Sequence, residues 1–177
     1  TEAYAALMAD EMGKPLAEGR SEIAKCALAC DYYADHAERF LAPEPVATEF
    51  RASYVCYRPL GVLLAIMPWN FPFWQVVRCA VPAIAAGNAV VLKHAPNVPG
   101  CALALADAFT EAFTQAFGDV DATAGVFQAP LVDIDADPDI VPAIIAHRHV
   151  AGVSLTGSTR AGRAVAAIAG AHLKKTV

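Results

Sequence analysis

A stiff, proline-flanked turn contains the side-chain amide best placed to do chemistry. The run Met67-Pro68-Trp69-Asn70-Phe71-Pro72 lies between a strand-like apolar run and a helical run. Prolines and aromatic residues on both sides of Asn70 restrict the turn, and a fixed amide donor is one way to stabilise an oxyanion. The same residues also fit a loop whose asparagine caps the following helix. The local pattern leaves both interpretations open.

Two further polar turns fall at the carboxyl ends of predicted strands, at Lys93–Pro96 and at Thr156–Thr159. Carboxyl ends of parallel strands with right-handed crossovers share one edge of the sheet, where open α/β sheets bind ligands. Lys93 is either a ligand-binding cation or a strand-end lysine that reaches water. Ser158 is either an ordinary helix cap or a phosphate contact. The usual GxGxxG dinucleotide fingerprint is absent.

Hydrophobic periodicity predicts the elements that position these turns. Residues 1 to about 40 have a helical pattern, which breaks at Gly13-Lys14-Pro15. Val46–Leu60 contains a period-two alternation, which predicts an antiparallel strand. Strands and helices then alternate, which predicts a doubly wound parallel sheet, and a mobile loop is expected at Gly118–Thr123. The predicted strands are 62–67, 89–93, 125–128, 150–155 and 174–177, and the predicted helices are 73–86, 97–116, 137–146 and 160–169.

Composition excludes several classes of protein. Hydrophobic residues make up 56% and charged residues 18% of the chain, which favours strands buried under helices. A net charge of −5 without a basic patch excludes a nucleic-acid partner, and no apolar run reaches the ~18 residues of a membrane span. No signal peptide is recognised, and unpaired cysteines favour the cytoplasm. The cysteines show no paired spacing and predict small buried residues rather than a metal site: Cys26, Cys30, Cys56, Cys79 and Cys101.

Four segments in this order resemble the aldehyde dehydrogenase superfamily: Pro59–Val62, Met67–Pro72, Gly87–Lys93 and Ser154–Thr159. Glu11-Met12-Gly13-Lys14-Pro15 also looks like that family's early helix boundary. The run Lys93-His94-Ala95-Pro96-Asn97 most resembles the succinate-semialdehyde dehydrogenases. The resemblance spans nearly the whole chain. It implies an incomplete aldehyde dehydrogenase fold of the α/β class, a Rossmann-like doubly wound sheet with an N-terminal helical segment and a short antiparallel excursion.

The resemblance implies roles for individual residues. Asn70 matches the oxyanion-hole amide, which steadies the tetrahedral thiohemiacetal oxygen. Trp69 matches a residue beside the cofactor pyrophosphate, and Lys93 matches the lysine that contacts the adenosine ribose hydroxyls. Ser158 matches the serine that hydrogen-bonds the pyrophosphate, and Gly157 leaves room for it.

The remaining matched positions concern the cofactor walls and the choice between NAD and NADP. Ile66 and Pro68 match backbone or wall positions near the cofactor. Strict NAD users of the family often have a glutamate at the position of Pro96, which here follows Ala95. Without a carboxylate at that position, NADP should be tolerated as well as NAD. His94 is a candidate for the positive partner of a 2′-phosphate.

The family's nucleophilic cysteine and general-base glutamate belong to segments that this chain does not match, and none of its five cysteines has a nucleophile-like context. The resemblance implies a parent enzyme that oxidises an aldehyde, expected to be succinate semialdehyde, to its carboxylate with NAD(P)+. The chain alone should be inactive. Arg78 faces either the substrate channel or solvent. The alternatives are a non-catalytic nucleotide-binding or interaction module and an acyl-phosphate reductase relative, against which Trp69–Pro72 argues.

The implied organisation has three parts. Residues 1–45 form a helical segment of the cofactor domain, residues 46–60 form a strand of an oligomerisation excursion, and residues 61–177 form a truncated NAD(P)-binding domain without a catalytic domain. The expected partner is a small-molecule aldehyde, and neither a nucleic acid nor a membrane is expected. Unpaired strand edges and exposed apolar faces predict a homo-oligomer or other self-association.

Overall fold

A five-stranded parallel sheet forms the centre of the computed structural model, which describes residues 1–118 and 125–177. Two short strands lie outside this sheet and pair with each other: β1 Glu44–Pro45 and β2 Tyr54–Val55. The central sheet contains β3 Val62–Ile66, β4 Ala89–Lys93, β5 Phe127–Gln128, β6 Val150–Leu155 and β7 Lys175–Thr176. Its strand order is β5-β4-β3-β6-β7.

Helices cover both faces of the sheet. The described helices are α1 Glu2–Met12, α2 Leu16–Leu41, α3 Trp74–Ala85, α4 Pro99–Phe117, α5 Ile140–Ala146 and α6 Thr159–Ala171. Residues of α1 to α4 share one core with Ala65, whereas α5 and α6 pack in a second core around Leu64. Successive residues of β3 thus bury opposite faces, as expected for a strand between two helical layers. Over the described ranges, no helix is both long enough and apolar enough to cross a membrane.

The direction of strand addition reverses at β3. The chain first builds β4 and β5 outward on one side, then returns to the other side of β3 to form β6 and β7. Such a reversal is a topological switch point, which is where doubly wound sheets bind ligands. The register places Ile66 opposite both Lys93 and Leu155, so β3, β4 and β6 end at the same level.

The predicted parallel sheet is confirmed, with small changes at the boundaries. The strands predicted at 89–93 and 150–155 are β4 and β6 without change, whereas β5 is shorter than predicted. The predicted continuous strand over Val46–Leu60 is wrong in length, since only Tyr54–Val55 forms a strand there. Large side chains of this segment, such as Phe50 and Tyr54, are exposed, so the alternation has no core to bury one face.

The break between α1 and α2 has a clear backbone cause. Gly13 adopts a left-handed conformation with φ 73°, and its amide donates to the Ala9 carbonyl, which ends α1 in the way typical of glycine. Pro15 follows and precedes the first residue of α2. The mobile loop predicted at Gly118–Thr123 lies, after Gly118, outside the described residues.

Candidate functional site

Backbone hydrogen bonds align the three turns at the carboxyl edge of the sheet. The Met67 amide donates to the Lys93 carbonyl over 3.1 Å, and the Thr156 amide donates to the Ile66 carbonyl over 3.0 Å. Each bond continues the strand pairing by one residue beyond its last pair. The turns after β3, β4 and β6 therefore begin side by side at the switch point, with Pro68, half-buried, just beyond.

The turn after β3 exposes its side chains and anchors its backbone. Trp69 is 49% exposed and Asn70 is exposed as well. The Asn70 carbonyl accepts a hydrogen bond of 2.8 Å from Lys14 Nζ. Within the described part of the chain, the Asn70 side-chain amide makes no hydrogen bond of its own. The amide is therefore available to a ligand while the peptide behind it is fixed.

A buried carboxylate caps the helix that follows this turn. Glu22 Oε1 accepts hydrogen bonds of 2.9 Å from the amides of both Phe73 and Trp74. Its other oxygen pairs with the ammonium of Lys14. A carboxylate satisfies the free amides of a first helical turn and interacts favourably with the helix dipole. The first turn of α3 is thus filled by a protein side chain.

The helix that follows β4 is capped in the same way from α1. Glu11 accepts from the Gly100 amide over 2.6 Å and from the Cys101 amide over 2.9 Å, one bond to each carboxylate oxygen. Two of the three helices that start from the aligned turns therefore have their anion-binding amides filled by glutamates of the N-terminal helices.

The third helix, α6, begins differently. Ser158 caps it, with its Oγ accepting from the Ala161 amide over 3.2 Å, and in the described residues no carboxylate reaches its first turn. Gly157 and Ser158 are both exposed. A Cβ added at Gly157 would meet Leu155 and Ala161 only at 3.7 and 3.9 Å, so packing does not require glycine here. The exposed start of α6 can therefore receive an anion such as a phosphate.

The turn after β4 presents one cation and one neutral ring. Lys93 is half-buried, and burial lowers the pKa of its ammonium. His94 is buried, its Nδ1 accepts from the Ala95 amide over 2.8 Å, and its Nε2 therefore donates to the Pro72 carbonyl over 2.9 Å. Desolvation lowers the pKa of His94, so the ring is neutral at pH 7. The expectation that His94 supplies a positive charge is therefore wrong.

Ala95 and Pro96 line a cleft of about 350 Å³ that also contains Asp133. Asp133 belongs to the segment after β5, and its Oδ1 accepts hydrogen bonds from the amides of Asp135 and Ala136 in the same segment. Trp69, Gly157 and Ser158 do not line this cleft. The structure thus brings the predicted residues to one edge of the sheet without enclosing them in a single cavity.

A second cleft, of about 540 Å³, opens along α3 and contains Trp74 and Arg78. The Arg78 guanidinium is exposed, and its Nη2 donates to Thr156 Oγ1 over 3.0 Å. Arg78 therefore lies against the turn that follows β6, at the same edge of the sheet as Asn70. The contact places the Arg78 guanidinium beside this turn, and the side chain is still exposed to solvent.

Three of the five cysteines lie in environments that disfavour a nucleophilic thiolate. All five are free thiols. Burial raises the pKa of Cys26 to about 12 and also raises the pKa of Cys101 and Cys30. A high pKa disfavours the reactive thiolate. Among residues 1–118 and 125–177, no cluster of histidine, cysteine and carboxylate side chains could hold a metal ion.

Lys14, Glu22 and Glu11 contribute to this site, although the sequence motifs did not indicate them. The run from Glu11 to Pro15 indicated only a helix boundary. One signal was present: Glu22 lies on the face of α2 that also carries Gly19 and Cys26, all of which are buried. A charged residue on a buried helix face needs a partner, because an unpaired buried charge is very costly.

The strand order and the helices on both faces make this a doubly wound α/β unit. The carboxyl edge at the switch point, where the three turns meet, is the place where such folds bind ligands. The model of the Aldehyde dehydrogenase family matches residues 1–177. The chain therefore belongs to the aldehyde dehydrogenase family, as the sequence resemblance indicated.

Similar proteins narrow this assignment. The chain is 47% identical over 177 residues to succinate semialdehyde dehydrogenase (NAD(P)+) Sad of Escherichia coli, covering 100% of this chain and 36% of that protein. It is 51% identical over 176 residues to succinate-semialdehyde dehydrogenase (NADP+) 1 of Mycobacterium bovis, covering 98% of this chain and 36% of that protein.

A solved structure supports the same assignment. The crystal structure of succinic semialdehyde dehydrogenase from Streptococcus pyogenes, in complex with NADP+, matches with a TM-score of 0.84 and 38% identity over 99% of this chain and 36% of that one. The chain thus spans about a third of the length of the proteins it matches.

Proposed function

We propose that this chain forms the cofactor-binding part of an NAD(P)-dependent aldehyde dehydrogenase that oxidises succinate semialdehyde to its carboxylate. The observation that carries the proposal is the alignment of the Asn70 turn with the exposed start of α6 across the switch point. Family membership and the names of the similar proteins support the reaction and the substrate.

The start of α6 is the site we propose for the cofactor pyrophosphate. Ser158 would donate its hydroxyl to a phosphate oxygen, and Gly157 would allow close approach of the backbone. The fit is chemical: the first turns of α3 and α4 already hold carboxylates, whereas that of α6 does not. Trp69 would lie beside the pyrophosphate, and Lys93 would contact the ribose hydroxyls.

Both NAD and NADP are proposed cofactors, and Asp133 is the residue that would influence the choice. Asp133 lines the same cleft as Pro96 and would repel a 2′-phosphate bound there, while its Oδ1 stays held by the Asp135 and Ala136 amides. The similar proteins carry NAD(P)+ or NADP+ in their names. Titrating the two cofactors separately would measure the preference directly.

The side-chain amide of Asn70 would activate the aldehyde by donating a hydrogen bond to its carbonyl oxygen. When a nucleophile adds to the carbonyl carbon, negative charge develops on the carbonyl oxygen, and a fixed amide N–H stabilises that oxygen. A bound NAD(P)+ would supply the hydride acceptor for this reaction. The thiols of this chain have raised pKa values or lie outside the Asn70 turn. We therefore propose that the nucleophile comes from outside these residues and that the chain alone is inactive.

Arg78 is the residue we propose for the distal carboxylate of the substrate. A guanidinium can bind a carboxylate through two parallel hydrogen bonds. Arg78 lines a cleft with Trp74, the first residue of α3, and lies one helical turn after it. Its guanidinium contacts Thr156 in the turn after β6. Succinate semialdehyde has an aldehyde at one end and a carboxylate at the other. Asn70 and Arg78 would therefore address its two ends.

Cofactor titration of the purified chain tests the proposal. Calorimetry should detect NAD+ or NADP+ binding, and Gly157→Val should weaken it by roughly tenfold or more, about 1.4 kcal/mol, because the new side chain blocks the phosphate approach. Gly170→Val is the control, because Gly170 lies near the other end of α6 and a side chain there enters open space. Equal affinities for both variants and the unsubstituted chain would refute the pyrophosphate site.

An activity assay separates the catalytic and non-catalytic interpretations. The chain alone should form no NAD(P)H from succinate semialdehyde, and clear turnover would contradict our assignment of the nucleophile. Cofactor binding without turnover, even in any longer product of the same reading frame, would instead favour the non-catalytic nucleotide-binding module.

We also propose that the chain self-associates through its β1–β2 ribbon and acts in the cytoplasm. On this ribbon, Phe50 is 71% and Tyr54 is 62% exposed. Large apolar side chains exposed close together are typical of a protein contact surface. Five free thiols fit a reducing compartment. The division into residues 1–45, 46–60 and 61–177 stays a prediction, although α1 and α2 share a core with the sheet.

A further inference from the structure

We propose that Lys14 is a positioning residue for Asn70: its buried ammonium fixes the turn from behind, so that the Asn70 amide is held at the carboxyl edge. This inference rests on the proposed function, which gives that amide its role at the oxyanion. It assigns a direct part in the site to the junction between α1 and α2.

Three contacts converge on the Lys14 ammonium. Nζ donates to the Asn70 carbonyl over 2.8 Å, pairs with the Glu22 carboxylate, and lies 4.0 Å from the centroid of the Phe71 ring. Lys14 is 5% and Glu22 4% exposed, so water hardly competes for these contacts. The ammonium thus contacts two consecutive residues of the turn, Asn70 through its carbonyl and Phe71 through its ring.

Lys14 is itself fixed by the helix junction in which it lies. Gly13, in its left-handed conformation, ends α1, and the Lys14 amide donates to the Met8 carbonyl over 3.4 Å. Pro15 restricts the backbone on the other side. The backbone of Lys14 is therefore restricted on both sides, and its ammonium is held by the contacts to Asn70, Glu22 and Phe71.

The molecule contains a comparison that isolates the contribution of Lys14. Glu11 and Glu22 each cap a helix with two hydrogen bonds from consecutive amides. Among the described residues, the half-buried Glu11 does this without a lysine or arginine partner, so capping alone does not require a cation. Glu22 is buried, and its charge needs the partner that Lys14 supplies. What Lys14 adds to the Glu22 cap is the connection to Asn70 and Phe71.

Stability alone is a poor explanation for this buried pair. Removing two charges from water is costly, and well-packed apolar residues in place of a buried ion pair often leave stability unchanged or improve it. A buried ion pair can, in contrast, fix one geometry among several. The contacts to the Asn70 turn identify which geometry Lys14 and Glu22 fix.

Nuclear magnetic resonance of the ¹⁵N-labelled chain tests the inference without cofactor or aldehyde. The chain has three asparagines, so the Asn70 side-chain amide can be assigned by its loss in Asn70→Asp, and Asn88 and Asn97 serve as internal references. Lys14→Met removes the ammonium and its charge and keeps an unbranched side chain that is one atom shorter. We expect the Asn70 amide signals to shift more than those of both references, with increased backbone mobility at Asn70.

Glu11→Gln is the matched control, because it alters a comparable cap that does not touch Asn70. It should leave the Asn70 signals in place. A folded Lys14→Met variant with unchanged Asn70 signals would overturn the inference, as would an equal shift in Glu11→Gln. If Lys14→Met does not fold, Glu22→Gln replaces it, since the amide oxygen can still accept from the α3 amides while the charge that holds Lys14 is lost.

The same measurement keeps this inference separable from the proposed function. If the proposed cofactor site is wrong, Gly157→Val will leave cofactor affinity unchanged. If the positioning role of Lys14 is wrong, Lys14→Met will leave the Asn70 signals unchanged. Either result can occur without the other.

Discussion

Asn88 joins three segments at the amino edge of the sheet, and its replacement by alanine should weaken the whole unit. Its Oδ1 accepts from the Leu60 amide over 2.6 Å and from the Gly61 amide over 3.1 Å, and its Nδ2 donates to the Ala83 carbonyl over 3.0 Å. The side chain is buried. It therefore ties the residues before β3 to the end of α3 and to the start of β4.

The expected cost follows from these three bonds. Each contributes about 0.5–1.5 kcal/mol net, and Leu60 and Gly61 are exposed, so their amides can return to water after the substitution. We therefore expect Asn88→Ala to lower the free energy of unfolding by about 2–3 kcal/mol, in the lower half of the summed range of about 1.5–4.5 kcal/mol. The anchor lies at the amino end of the β3–β4 pair, whose carboxyl end places Ile66 opposite Lys93.

Urea unfolding followed by far-ultraviolet circular dichroism measures the loss. Asn97→Ala is the matched control, because Asn97 is exposed and, among the described residues, its side chain makes no hydrogen bond. The control should change the free energy of unfolding by less than about 0.5 kcal/mol. A loss below about 1 kcal/mol for Asn88→Ala, or an equal loss in the control, would refute the reasoning.

Two other predictions concern pH and assembly. Burial lowers the pKa of His94 in the folded state, so the unfolded state binds more protons as the pH falls below the ordinary value of 6.5. Stability should therefore decrease through that range, by at most about 1.4 kcal/mol per pH unit for this group, and His94→Gln should flatten the decrease in urea titrations at several pH values. A variant with the same pH dependence would contradict the assignment. In sedimentation velocity at micromolar concentration, the chain should self-associate, and Phe50→Ser with Tyr54→Ser should shift it toward monomer; a monomeric unsubstituted chain would disprove the ribbon contact.

The pattern of strands and helices was open to prediction because it is locally encoded. The apolar run Ala89–Lys93 and the run Val150–Leu155 are the observed β4 and β6 without change. Turn residues follow from the same patterns, so Asn70 and Ser158 could be assigned to carboxyl ends of strands. The handedness of βαβ units then brings those ends to one edge. In Val46–Leu60, where no core covers a face, the same period-two argument overestimated the strand.

Tertiary structure alone decided the environment of the site. Glu22 reaches the amide of Phe73, and Glu11 reaches the amide of Gly100, across separations of 51 and 89 residues. Asp133 enters the cleft of Pro96 from the next crossover in the chain. These contacts depend on how helices pack over the sheet, which no window of local sequence specifies.

The sequence by itself therefore determined the class of fold and the order of the three turns, because hydrophobic periodicity and turn chemistry act over a few residues. The resemblance of its motifs indicated the family. The structure decided that His94 is neutral, that Lys14 lies beneath Asn70, and that α3 and α4 are capped by glutamates. Burial and long-range pairing set protonation and hydrogen bonding, and both exist only once the chain has folded.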